Sequence, residues 1–227
     1  MKIAVTGAAG ILGSRFVQVL GGNNEIVALG HQDMEITDAT RVLSVLDAAR
    51  PEVVIHCAAI PNPDTCEREP DTAFAVNALG TRNVAVACRK IDAAIVYIST
   101  DFVFDGTTTG RYREYEATRT VNTYGHAKLI GERYVMEQLA DFFIVRVSWL
   151  FDETFVKTMI DKVQAGETLP LIVDKFSSPT YTQDVVEAVE ALLTTKQYGT
   201  YHVANHGVVS RVGQAEEILR QAGLNLD

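Results

Sequence analysis

Five short apolar runs punctuate the chain, at Ile3–Thr6, Ile26–Leu29, Val53–His56, Ile95–Ser99 and Phe142–Val147. Between them lie helix-length amphipathic patterns, at about 11–20, 39–49, 72–90 and 123–139. Apolar runs of this length suit strands buried on both faces, which occur in parallel sheets covered by helices. The alternation predicts repeated β-α-β units and hence an α/β fold: a doubly wound parallel sheet of the Rossmann type. No internal repeat, low-complexity tract or Pro/Gly/Ser linker interrupts it, so any second domain is built from insertions and the C-terminal part.

Composition narrows the function without choosing it. A chain of 227 residues with 47% hydrophobic content can bury a full core. Its net charge of −9 and pI near 5.0 argue against nucleic acid as a partner. An anionic small ligand then requires a local cluster of basic or backbone N–H groups. No apolar run approaches the ~18 residues of a membrane span. Met1–Val5 passes directly into a strand pattern with no signal-peptide region, so no membrane partner and a cytoplasmic location are expected. Cys57, Cys66 and Cys88 are odd in number and form no C-x-x-C, which reads as reduced packing residues. His202 and His206 fall in a strand and a turn, so they are not helical neighbours and no metal site is expected.

The first strand runs into Thr6-Gly7-Ala8-Ala9-Gly10-Ile11-Leu12-Gly13, a G-x-x-G-x-x-G loop that opens a helix. Glycines there permit a tight turn, bring the N–H groups of the Gly10–Gly13 segment up to a pyrophosphate, and let helix and strand pack closely. No Gly-Lys-Ser/Thr follows, which excludes a P-loop. Dinucleotide binding is therefore expected, with Gly7, Gly10, Ile11, Leu12 and Gly13 as its residues. The second strand ends in Gly30-His31-Gln32, without a carboxylate to repel a 2′-phosphate, and His31 is placed to approach one. NADP(H) is the expected cofactor. Asp33 and Glu35 lie just beyond and leave NAD(H) as the alternative. The third strand ends in small residues, including Ala58 and Ala59, where a cofactor can lie flat on the sheet edge.

The fourth strand delivers Ser99-Thr100-Asp101-Phe102-Val103-Phe104-Asp105-Gly106 at the carboxyl end of the sheet, where ligands bind in open α/β folds. Further on, Tyr124 and Lys128 stand four apart at the start of a helix, on one face. A phenol with an ordinary pKa near ~10 needs help to exchange a proton at neutral pH, and Lys128 is the expected cation. That spacing is common on helices. The glycine loop and the Ser99–Gly106 run give it weight, and Thr100 is expected close to Tyr124.

These three motifs together resemble the extended short-chain dehydrogenase/reductases. Arg146–Phe151, Phe155–Met159 and Ser178-Pro179-Thr180-Tyr181-Thr182-x-Asp184 are similar to the dTDP-4-dehydrorhamnose reductase family within them, and the resemblance runs from residue 1 to about 221. It implies NAD(P)H-dependent reduction of a dTDP-4-keto-6-deoxy sugar, with hydride delivered to C4. By position, it implies Tyr124 as proton donor, Lys128 as its partner and ribose ligand, and Thr100 as the hydroxyl on the substrate oxygen. Asp101, Phe102 and Trp149 fall on the nucleotide-sugar side. Among Arg111, Arg113, Arg119, Lys157, Lys175 and Arg211, the two lysines are the expected diphosphate ligands. Asp64 and Glu67 suit loop capping, and Asn77 suits either the active site or a satisfied core position.

The chain departs from the family pattern in several places. Residues 105–123 and 150–155 read as shortened, His56-Cys57 replaces a common asparagine, and Asp227 falls where members continue. The expected division is an NAD(P)-binding domain over 1–149 and, over 150–227, a mixed region that adds a sheet strand and a small, truncated substrate-binding portion. Two other readings stay open: a nucleotide-sugar epimerase or dehydratase, and a non-catalytic NADP-binding subunit similar to the β subunit of methionine adenosyltransferase. A homodimer is compatible with all of them.

Overall fold

The computed structural model describes residues 1–108 and 110–224. Among these, ten strands and nine α-helices follow one another along the chain. The first half runs β1 (Lys2–Thr6), α1 (Ile11–Leu20), β2 (Glu25–Leu29), α2 (Ala39–Ala49), β3 (Val53–His56), α3 (Pro63–Arg68), α4 (Pro70–Phe74), α5 (Thr81–Ile91) and β4 (Ala94–Thr100). The second half runs α6 (Thr123–Gln138), β5 (Phe142–Val147), β6 (Leu150–Phe151), α7 (Glu153–Gln164), β7 (Phe176–Ser177), β8 (Thr180–Tyr181), α8 (Thr182–Thr195), β9 (Gly199–Val203), β10 (Val209–Ser210) and α9 (Arg211–Gln221). Six strands form the main sheet in the order β2-β1-β3-β4-β5-β9, and every pairing in it is parallel.

The strands read as unbroken apolar runs because the pleat sends alternate side chains into two different cores. Val54, Ile95, Tyr97 and Ile144 join Val42, Leu46, Val84 and Cys88 on the face covered by α2 and α5. Their neighbours Ile55, Val96, Phe143 and Val145 join Phe16, Leu20, Val185 and Val189 on the face covered by α1 and α8. The five expected strands are all present. The sixth, β9, is supplied with α8 by the region after residue 149, and its half-buried edge position explains its weaker apolar signal.

The helix expected over 72–90 is broken into three pieces. Between α4 and α5, residues Ala75–Gly80 widen into a π turn. Such bulges insert one extra residue into a helix and recur at functional sites. Here the insertion aims the buried Asn77 amide at the chain leaving β3, where it accepts from Ile60 N (2.7 Å) and donates to Ile60 O (3.0 Å). Asn77 is thus a satisfied core group. Register sets the stage for chemistry, because Thr6 pairs with His56 and Thr100 pairs with Val147, lining up the carboxyl ends of β1, β3, β4 and β5.

Candidate active site

The glycine loop folds back on itself and on the end of β3. Gly7 has φ +65°, and a Cβ there would lie 2.7 Å from Ala58 N; a Cβ at Gly13 would lie 2.1 Å from Gly7 O. Gly10 caps α1 without a side chain, and Ser14 N is the first amide to close on a carbonyl of this turn, at 2.9 Å from Gly10 O. The N–H groups of Ile11, Leu12 and Gly13 therefore lack helical acceptors at an exposed helix start, the donor set a pyrophosphate requires. Ala58 and Ala59 border the loop, and Ala58 N donates to Thr6 Oγ1 (3.2 Å). At the tip of β2, His31 is exposed and pairs with Glu35 (3.1 Å). The following turn returns a carboxylate that the order of residues puts farther off: Asp33 Oδ2 accepts from Gly30 N at 2.8 Å. Both an imidazole and a carboxylate are thus available at the tip of β2.

The start of α6 is fixed from two sides. Asn122 Oδ1 accepts from Gly125 N (2.7 Å), and Glu67 Oε1 accepts from Thr123 N (2.6 Å), the capping role expected of Glu67. Gly125 lets the helix touch the strand's exit, since a Cβ there would stand 2.2 Å from Phe102 O. That close approach sets the Tyr124 ring edge-on to Phe102, with centroids 5.7 Å apart. Burial pushes the Tyr124 phenol well above its ordinary pKa, the hydrogen-bonded Thr100 hydroxyl pulls it back, and Asp101 pushes it up. Thr100 Oγ1 itself donates to Asp101 Oδ1 (3.1 Å). Lys128 is 3% exposed, and its Nζ lies 4.0 Å from the Tyr97 ring centroid. Burial lowers its pKa to about 7, against the opposing influence of Cys57 and Glu132. Among the described residues Nζ makes no hydrogen bond or ion pair, so a ribose hydroxyl has an open donor to meet.

His56 is buried below this edge, with Nδ1 2.7 Å from Thr6 Oγ1, Nε2 3.1 Å from Thr81 Oγ1 and the ring stacked on Tyr97. Burial, helped by the Lys128 charge, lowers its pKa from 6.5 to about 3. A base whose folded pKa is depressed binds more protons when unfolded, so stability rises with pH across that window. Melting temperature should therefore fall as pH drops below 6.5, before carboxylates titrate, and His56→Asn should flatten that fall. An unchanged acid profile in the variant would remove His56 from the account.

The opposite wall is formed by the chain after β5. Ser148 Oγ (2.7 Å) and Ser177 Oγ (3.1 Å) both donate to Asp101 Oδ2, so this carboxylate ties β4 to β5 and β7. Trp149 takes φ +45°, and its buried indole N–H has no acceptor among the described residues. The Arg211 guanidinium lies 3.1 Å from the Trp149 ring centroid, and Lys175 Nζ lies 4.6 Å from that of Phe102. Burial is the main cause lowering both pKa values, that of Arg211 to about 10. Neither cation has an ion pair among the described residues. Lys157, by contrast, is exposed on α7 and pairs with Asp161 (2.5 Å). Arg111 is 3.0 Å from His206, Arg119 meets Asp105 at 3.4 Å, and His202 lies 3.4 Å from Arg146. Gly125, Arg211 and Glu132 carry weight that the residue pattern did not assign, although Glu132 stands at the telling distance of one helical turn beyond Lys128.

Residues 1–226 match the family described as RmlD substrate binding domain. The chain belongs to the RmlD family. It is 39% identical to the dTDP-4-dehydrorhamnose reductase of Streptomyces griseus, over 96% of this chain and 75% of that protein. It is 36% identical to the dTDP-4-keto-6-deoxy-D-glucose reductase of Streptomyces niveus, over 96% of this chain and 78% of that protein. The crystal structure of dTDP-4-dehydrorhamnose reductase from Bacillus anthracis in complex with NADP superposes with a TM-score of 0.95 at 38% identity, covering all of this chain and 82% of that one. The parallel six-stranded sheet is that of the RmlD-type structures.

Proposed function

We propose that the chain reduces the C4 keto group of a dTDP-4-keto-6-deoxy sugar, dTDP-4-dehydrorhamnose, with NADPH. The observation that carries this reading is the gathering of Tyr124, edge-on to Phe102, and the buried Lys128 on one face of α6 where it closes on the end of β4, between an uncapped glycine-loop helix and a wall bearing two cations with no ion pair among the described residues. NADPH supplies the hydride when bound. The N–H groups of Ile11, Leu12 and Gly13 hold its diphosphate and Lys128 meets its ribose. Tyr124, kept protonated by burial, gives its proton to the carbonyl oxygen as that atom gains negative charge. Thr100 turns its O–H from Asp101 to the same oxygen and stabilises the developing charge. In this reading residues 1–149 serve the cofactor, and the region from residue 150 serves the sugar. No helix among the described residues is long and apolar enough to cross a membrane.

The test is turnover of dTDP-4-dehydrorhamnose with NADPH, read as loss of reduced-cofactor absorbance together with the product. Folded, cofactor-bound protein that turns over nothing overturns the proposal, and a new sugar formed without net cofactor consumption would indicate an epimerase.

Two half-buried cations that form no ion pair among the described residues suit an anionic ligand, and the sugar diphosphate provides it. Lys175→Met or Arg211→Met should each raise KM for the nucleotide sugar by ~10-fold or more, the worth of one charge-assisted hydrogen bond. The NADPH dissociation constant should stay put. An equal loss of NADPH affinity would transfer the residue to the cofactor side.

A further inference from the structure

The tip of β2 holds a carboxylate that the proposed chemistry does not use. In nucleotide-binding sheets an acidic residue just past the second strand accepts from the adenosine ribose 2′-hydroxyl of NAD. The first residue past β2 here is Gly30, which has no side chain to offer. The chain doubles back at once, because Asp33 N and Met34 N both donate to Gly30 O at 3.1 Å, and Met34 anchors the turn in the core. This brings Asp33 Oδ2 to 2.8 Å from Gly30 N, and to 3.3 Å from the point where a Cβ on Gly30 would stand. The carboxylate of Asp33 thus lies beside the place from which an acidic side chain at residue 30 would project. Ala8 N donates to Leu29 O (3.3 Å), so the same strand end is tied to the glycine loop.

An aspartate that caps an N–H in a tight turn is ordinary, but a cap uses one oxygen. Asp33 is exposed, and its Oδ1 makes no hydrogen bond among the described residues. Glu35, as near in sequence, is committed elsewhere. Its Oε1 accepts from Thr37 N and Thr37 Oγ1, each at 3.0 Å, and its Oε2 faces His31 Nδ1 at 3.1 Å. The cations of the turn are engaged as well: His31 meets Glu35, and Arg41 donates Nε (3.2 Å) and Nη2 (3.0 Å) to Asp33 O. The turn therefore presents one carboxylate oxygen that is free to accept.

We infer that Asp33 is the specificity-determining residue of the cofactor site: its carboxylate, returned by the turn to the end of β2, accepts from the ribose 2′-hydroxyl, so that the chain binds NADH as well as NADPH. The hydroxyl of NADH donates to this oxygen. The 2′-phosphate of NADPH meets a like charge there and draws on His31 and Arg41 instead. The inference rests on the proposed use of a nicotinamide cofactor, and its test reads binding, so the two can fail separately.

Dissociation constants of the full chain for NADH and NADPH are measured by titration without sugar. The wild type should bind both. Asp33→Asn keeps an oxygen for Gly30 N and removes the charge, so NADH should bind ~10-fold more weakly while NADPH holds or tightens. Glu35→Gln should leave the ratio of the two constants where it is. In the wild type and Asp33→Asn, 5′-AMP and adenosine 2′,5′-bisphosphate, which carry the two ribose ends alone, should repeat the pattern. Any result in which Asp33→Asn does not cost NADH more than NADPH would reduce Asp33 to a cap of its turn and overturn the inference. So would a wild type that takes NADPH alone, or a ratio that moves with Glu35 in place of Asp33. A wild-type chain that binds neither cofactor would instead sink the functional proposal beneath it.

Discussion

Tyr124→Phe should lose reduction by ~10²–10⁴-fold in kcat while NADPH binding stays nearly intact. The substitution keeps the ring edge-on to Phe102 and removes only the phenolic oxygen, so packing has little to lose. What disappears is the phenolic proton that burial keeps on Tyr124. Stopped assays for product, alongside cofactor titration, separate the two effects. Wild-type turnover in this variant would mean that the proton comes from elsewhere.

The second large effect is expected at Gly125→Ala. Two forces oppose each other there. Alanine is preferred over glycine inside a helix by about 1 kcal/mol, which favours the variant. The added Cβ, however, would stand 2.2 Å from Phe102 O, a backbone atom with no rotamer in which to escape. The clash wins, so α6 must move away from the exit of β4 and carry Tyr124 away from Thr100. Misplacement by an ångström can cost ~10²-fold, and a loss of that order in kcat is expected with the protein still folded. A raised melting temperature with unchanged kcat would show that Phe102 yields and that the helix does not.

Much of this was legible in the order of residues. The strands buried on both faces left continuous apolar runs, the glycine loop stood at the first β-to-α turn, and Tyr124 and Lys128 declared their common face by spacing. What the order of residues did not show are contacts set by side-chain geometry, some between distant segments and some within one turn or helix. Arg211 lies over Trp149 although 62 positions separate their numbers. Lys157, expected beside the diphosphate, is instead paired with Asp161 on the exposed face of its own helix. The carboxylate of Asp33 reaches the tip of β2 only because a turn brings it back. The spacing of Tyr124 and Lys128 showed their common face, but the closing of α6 on β4, which brings the Tyr124 ring edge-on to Phe102, left no mark in the sequence. The π turn around Asn77 had no signature, since its cause is a hydrogen-bonding demand made by Ile60.

The sixth strand has a consequence for how the molecule can be divided. The chain leaves the main sheet at the end of β5, builds the wall around Trp149, and comes back to add β9 alongside β5, in the register Val145 to Tyr201 and Arg146 to His202. On the way it lays Val185, Val186 and Val189 of α8 over Phe143 and Val145. Cutting the chain after β5 would leave that strand with an unpaired edge and an uncovered apolar face, a surface prone to pairing with other chains. The wall around Trp149 is therefore a loop spliced through the main sheet, and residues 1–149 do not make a free-standing module.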